Sequence, residues 1–212
     1  MRRSRRIGRR VAEQLELRPK VPGRRRPGAG RPRKHAREDQ YGYVRHRPRP
    51  IHKARHPLHV TLRAGRSWLR NGYVLAVLHD TLTHTIERNR LLQVIHFSLQ
   101  RNHLHLIVES RDRDTLSRGM QGLASILARR INRIQGQQGA LWAERYHARE
   151  LRTPTEVRNA MKYVLDNHRH HRIATHCIDE YSSAAWLDRE DAPDSPVRPG
   201  RTWLIRIGWH RL

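Results

Sequence analysis

Within the segment RNHLHLIVES, residues 101–110, His103 and His105 stand two positions apart in a run otherwise built from Leu, Ile and Val. Residues i and i+2 of a strand share a face. Both imidazoles therefore project together, opposite Leu104, Leu106 and Val108. Neutral imidazole nitrogens are metal ligands and a strand fixes their spacing, so the pair is a natural half-site for a divalent cation. The chain has 16 histidines, so one such pair also arises by chance, and a surface pair needs no explanation. Further on, Tyr163 and Asn167 are four residues apart and neighbours on one helix face, beside an apolar stripe of Val157, Ala160, Met161 and Val164. Singly, the tyrosine reads as a core residue and the asparagine as a cap. Placed over the histidine face, they would supply a nucleophile and an oxygen ligand.

The surrounding periodicities say what must position these groups. HPLHVTLRA, residues 56–64, alternates Leu58, Val60 and Leu62 against His59, Thr61 and Arg63, as in a half-buried strand. Residues 71–90 place Leu75, Leu78, Leu82 and Ile86 at helical spacing. Residues 91–100 alternate again, with Ile95, Phe97 and Leu99 against Val94, His96, Ser98 and Gln100, and a short gap then predicts a hairpin into the histidine strand. Residues 113–136 form a helix striped by Leu116, Met120, Leu123, Leu127, Ile131 and Ile134, and ended by Gly136. Residues 140–152 read as a fourth strand. Residues 153–172 read as a helix opening on Thr153, Pro154 and Glu156. The order predicts an α+β fold, a ferredoxin-like βαββαβ antiparallel sheet with an additional C-terminal helix. Its helices cover one face, and His59 and His96 join the pair on the other.

Charge is concentrated at one end. Residues 1–55 hold 20 basic and 4 acidic residues, while residues 173–212 hold 5 and 6. A formal net charge of +25, nearly all from arginine, points to a nucleic-acid partner. Residues 1–54 are rich in Arg, Pro and Gly and too poor in apolar residues for a core, so a disordered basic arm is expected. Its GAGRPRK stretch reads either as a minor-groove AT-hook or as a plain phosphate-binding arm. Residues 55–172 form the expected domain, and 173–212 an extension packing on it or trailing from it. A single cysteine, Cys177, excludes an internal disulfide and a cysteine-rich zinc site. The basic start lacks the apolar run of a secretory signal, and no window approaches the ~20 apolar residues of a membrane span. A soluble, cytoplasmic protein without membrane contacts is expected.

The run from HVTLR through VIHFSLQRNHLHLIVES and LWAERYHARELRTPTEVRNAMKYVLDN to YSSAAWL, residues 56–190, resembles the HUH single-tyrosine transposases of bacterial insertion sequences. It is especially similar to those associated with repetitive extragenic palindromes. The resemblance implies that His103 and His105 bind the metal, that Tyr163 is the nucleophile and that Asn167 is the third ligand. The family motif continues Asn-Pro, where this chain has Asn167-His168, so the helix end differs. The implied reaction is phosphoryl transfer on single-stranded, hairpin-bearing DNA through a 5′-phosphotyrosine, with Mg²⁺ or Mn²⁺ as cofactor. It also implies a bacterial, nucleoid-associated protein, acting as a monomer or as a homodimer that supplies Tyr163 to its partner.

Other roles stay open at this level. His59 and His147 are candidates for a general base or for support of the site. Arg63, Arg129, Arg130, Arg145 and Arg149 could contact DNA or serve as surface charge. Trp142 and Tyr146 could stack on bases, although the core is the plainer place for the tryptophan, and Tyr146 is the rival nucleophile. A non-catalytic nucleic-acid binder is the main alternative function. A water-using nuclease would need carboxylates beside the histidines, where the sequence offers only Glu109.

Overall fold

The computed structural model describes residues 49–65, 68–88 (backbone alone from 85), 92–166, 178–187 and 189–211. Most of the basic arm, its GAGRPRK stretch, Asn167 and the expected helical continuation to 172 lie outside those residues. The elements run β1 (Leu58–Arg63), α1 (Gly72–Arg88), β2 (Leu92–Leu99), β3 (His103–Ser110), α2 (Arg113–Gln135), β4 (His147–Glu150) and α3 (Pro154–Leu165). A short α4 (Trp203–Arg206) follows, with 3₁₀ turns at Ser183–Trp186 and Gly208–Arg211. The four strands form one antiparallel sheet in the order β2-β3-β1-β4, which is the ferredoxin-like arrangement. Among the described residues no helix is long and apolar enough to cross a membrane.

Strand alternation divides the sheet between two cores. Leu58, Val60 and Leu62 of β1, Leu104, Leu106 and Val108 of β3, and Val94, Phe97 and Leu99 of β2 meet Val74, Leu78 and Leu82 of α1 and the stripe of α2. Burial of each such side chain stabilises the fold by about 1.5–3 kcal/mol relative to exposure. Two caps define α2: Asp112 accepts a hydrogen bond from the Thr115 backbone N at 2.8 Å, and Gly136 closes the helix at φ 61°, where a side chain would be strained. Arg130 of α2 pairs with Asp80 of α1 and donates to Thr81 Oγ1 on the same helix at 3.1 Å.

Three expectations need correction. Ile134 is 47% exposed, because it lies in the last turn of α2, beyond Ile131, the last buried residue of the stripe. A bulge between Val94 and His96 breaks the parity of β2. Val94 thereby joins the helix-side core, and Ile95 turns to the opposite core with Ile107 of β3. The fourth strand is only the four residues of β4. Before it, Trp142 keeps one isolated bridge to Ala64, with its Nε1 donating to the Ala124 carbonyl at 2.9 Å, and Tyr146 packs in the helix-side core.

The second face of the sheet is covered by α3 and the C-terminal segment. Val157, Ala160, Met161 and Val164 of α3 pack with Ile95, Ile107, Leu204 and Ile205. Helix α3 begins as expected, with Thr153 Oγ1 accepting from the Glu156 backbone N at 3.2 Å and the Glu156 carboxylate accepting from Arg152 N at 2.6 Å. The C-terminal segment also covers the β2 edge: the Leu99 backbone N donates to the Tyr181 carbonyl at 2.7 Å, and Arg198 N to the Val94 carbonyl at 3.0 Å. Arg70 grips buried Asp179 with both terminal nitrogens, at 2.7 and 3.2 Å.

Two glycines of α2 separate propensity from packing. A Cβ at Gly119 would lie 2.7 Å from Leu92 Cβ, whereas one at Gly122 meets nothing within 4 Å. Gly122→Ala is expected to stabilise the fold by up to about 1 kcal/mol through helix propensity alone. Gly119→Ala is expected to destabilise it by about 1–3 kcal/mol, as the overpacked α2–β2 contact outweighs the same propensity gain. Urea unfolding of the two variants would show shifts of opposite sign.

Candidate active site

The β1–β3 register sets His105 opposite Thr61 and His103 opposite Arg63. β4 continues the rows, with His147 opposite Thr61 and Arg149 opposite His59. Directly opposed residues of an antiparallel pair share a face. Ser98, His105, Thr61 and His147 thus form one row across all four strands, on the face turned away from α1 and α2.

Within this row the imidazoles are tied by specific bonds. His103 Nδ1 lies 2.8 Å from Asn102 Oδ1, an atom that only accepts. Nδ1 therefore carries the proton and Nε2 the lone pair. His105 Nδ1 lies 3.2 Å from Thr61 Oγ1 and 3.3 Å from His59 Nε2. These two contacts hold the Nδ1 side of the His105 ring against β1. The His103 and His105 rings stack 5.9 Å apart at 19°. His59 is held neutral: burial first, then the charges of His147 and Arg149, push its pKa down to about 4.

Helix α3 brings Tyr163 over this face. Its ring stands edge-on to His105, centroids 5.2 Å apart at 89°, and 5.8 Å from His59 at 64°. The phenol is not buried, with Tyr163 39% exposed. Tyr146 is placed quite differently. It is 7% exposed in the helix-side core, its hydroxyl 3.5 Å from Ser117 Oγ and Arg49 stacked on its ring at 3.3 Å. Glu109 shares the histidine side of β3, but its carboxylate accepts from Arg201 N, Thr202 N and Thr202 Oγ1 at 2.7–2.9 Å. It caps α4, and nothing here makes it an acid at the histidines. Among the described residues, no group of three or more His, Cys, Asp or Glu could hold a metal.

The arginines divide. Arg63 and Arg149 lie on the strands of the site, Arg149 pairing with Glu156 of α3 at 3.1 Å. Arg145 precedes β4, in irregular chain, where the longer fourth strand was expected. Arg129 and Arg130 sit on α2, across the sheet from the histidines, and Arg130 is committed to Asp80. Asn102 and Thr61 are the supporting residues that spacing did not single out as such. The signal for Thr61 was its strand parity with His59; for Asn102 there was only adjacency to His103.

With this geometry in hand, comparison with known proteins is informative. Residues 55–167 match the family described as IS200-like transposases, more than half of the chain. The chain belongs to that family, the HUH single-tyrosine transposases. A solved structure of a REP-associated tyrosine transposase bound to a REP hairpin is similar to this transposase, with a TM-score of 0.50 and 17% identity over 70% of this chain and 86% of that one. At that identity the likeness concerns the fold. A crystal structure of a proposed transposase from Deinococcus radiodurans R1 is more distant, with a TM-score of 0.39 and 16% identity over 56% of this chain and 92% of that one. No curated protein sequence matches this transposase.

The depressed His59 pKa has a measurable sign. The His59 ring C–H resonance is expected to stay constant from neutral pH down past the usual 6.5 and to move only near about 4. Buried His96 is pushed to about 4 in the same way. Because the unfolded chain takes up these protons near 6.5 and the folded chain does not, stability falls as pH drops from 6.5 towards 4. A histidine NMR titration beside a chemical-denaturation series checks both.

Proposed function

We propose that this transposase cleaves and rejoins single-stranded DNA at hairpin-associated sites, with Tyr163 as nucleophile and His103 and His105 as ligands of a divalent metal, Mg²⁺ or Mn²⁺. One observation carries the reading: the only tyrosine ring described against the histidine pair, that of Tyr163, stands 5.2 Å from His105 of the same chain. The fit to a metal is supported by the Nδ1 contacts of both rings, to Asn102 at His103 and to Thr61 at His105, which leave Nε2 as the nitrogen each ring would offer a cation. Asn167, four positions after Tyr163 in the sequence, is the proposed third ligand. When bound, a divalent cation would neutralise charge developing on the scissile phosphate.

The chain's own groups supply the remainder. Tyr163 Oη forms a bond to phosphorus as the bond to the 3′ oxygen breaks, leaving a 5′-phosphotyrosine and a free 3′-hydroxyl. A second 3′-hydroxyl reverses the step on another strand, so no external energy source is needed. His59, neutral and hydrogen-bonded to His105, would help to orient that ring. Arg63 and Arg149, on the same face, are proposed to hold flanking phosphates. The domain is taken as residues 55–172, with the basic arm 1–54 adding sequence-independent phosphate contacts. The proximity of Tyr163 to its own chain's histidines favours action in cis, by a monomer.

Tyr163→Phe is expected to abolish the covalent protein–DNA species on a single-stranded hairpin substrate with Mn²⁺, while DNA binding stays near the parent level. Full nicking by that variant in a denaturing gel would refute the nucleophile. The cis assignment has its own test. An equimolar mixture of Tyr163→Phe with the double variant His103→Ala, His105→Ala is expected to give no adduct. Restored adduct would mean that one copy's tyrosine reaches another copy's imidazoles.

A further inference from the structure

Trp68 is 55% exposed, while the next residue, Leu69, is fully buried in the helix-side core. The backbone around the indole is nonetheless pinned. The Trp68 carbonyl accepts from Asn71 Nδ2 at 3.0 Å and from Gln135 Nε2 at 3.2 Å. Leu69 N donates to the Arg101 carbonyl at 2.8 Å, which docks this segment on the β2–β3 turn. Arg101 lays its guanidinium over the indole, 4.1 Å from the ring centroid. The result is a large flat ring, held at a fixed place and contributing nothing to the core. An exposed Arg–Trp stack is worth only about 0.5–1 kcal/mol, too little to call for a tryptophan there.

The location gives the ring a use. Arg101 and Asn102 form the turn leading into β3, and Asn102 is the residue that fixes the His103 tautomer. The Asn102 carbonyl also accepts from Ala64 N at 2.8 Å, just past Arg63 at the end of β1. The indole therefore stands at the end of the sheet that carries His103. Arg101, whose guanidinium covers the indole, is two residues from His103 in the chain, so the ring lies at the His103 end of β3. Tyr73, 81% exposed in the first turn of α1, is a second aromatic ring close by in the chain.

We infer that Trp68, backed by Arg101, is a stacking platform for one unpaired nucleobase of the DNA strand that enters the site. The inference rests on the single-stranded substrate proposed above. It assigns one chemical class of ligand, a planar base with its neighbouring phosphate, the base to the indole face and the phosphate to the Arg101 guanidinium. Every base has a π-face, so the platform tolerates sequence and selects for single-strandedness. A base held in a duplex stack offers no face to it.

The test uses full-length protein carrying Tyr163→Phe, so that the DNA stays intact, and reads affinity by fluorescence anisotropy. Trp68→Ala is expected to weaken binding of a single-stranded oligonucleotide about 5- to 100-fold, the range for loss of one base–aromatic stack. Trp68→Phe should recover most of that loss, and affinity for a blunt duplex of the same sequence should stay unchanged. With 2-aminopurine moved one position at a time along the single strand, one position should lose its quenching in Trp68→Ala alone. Unchanged single-strand affinity in Trp68→Ala would overturn the inference, as would an equal loss for duplex. Adduct formation by the parent chain on the same oligonucleotide is scored separately, so failure of the Tyr163 chemistry and failure of the platform are different results.

Discussion

The pairing of β1 with β3 is the constraint on which the site depends. Side chains of a strand alternate between faces, so a slip by one residue would send every imidazole of these strands into the leucine-rich core and the leucines into solvent. Leu58, Val60 and Leu62 opposite Val108, Leu106 and Leu104 hold the register from one side. On the other side the same register delivers Thr61 to His105 and Arg63 to His103. Hydrophobic burial thus fixes, at no separate energetic cost, which groups meet on the polar face. The Asn102 bond then makes Nε2 the basic nitrogen of His103, while Thr61 and His59 hold the Nδ1 side of His105.

The second face is finished from far along the chain. Helix α3 alone covers only part of it; Leu204 and Ile205 complete the apolar cluster. The polar groups that this burial would strand are satisfied as it forms. Glu109 accepts from three donors at the start of α4, and Asp179 takes both nitrogens of Arg70. Buried carboxylates left unpaired would be strongly destabilising. The C-terminal segment therefore belongs to the fold that holds the tyrosine helix against the sheet.

Much of this was legible before the structure. The two-residue period of β1 and β3 is clean because one face is wholly apolar, and the Thr153-Pro154 cap is a local device read without tertiary knowledge. The α2 caps are equally local. What escaped reading was non-local. The β2 bulge has no signature, since Val94, Ile95 and Phe97 are all apolar and either parity fits. Tyr146 looks like a base-stacking or nucleophilic candidate until the helix-side core claims it. Glu109 looks like an acid at the histidines until Thr202, 93 positions later, arrives to be capped. Trp68 gave no signal, because exposure of a tryptophan cannot be inferred from its neighbours in sequence. Asn167, the remaining ligand implied by the family resemblance, falls beyond the described part of α3.

The junction between β4 and α3 has a further implication. Only Leu151, Arg152 and Thr153 join the two elements. Leu151 is buried and donates its backbone N to the Pro57 carbonyl at 2.8 Å, and Arg149 bridges to Glu156 across the joint. Such a tether has no slack: the helix cannot travel away from its own sheet without stripping β4 from β1. Moving α3 as a body off the sheet would thus have to break the Leu151–Pro57 bond and the Arg149–Glu156 pair together, which ties the position of the helix to the integrity of the sheet edge.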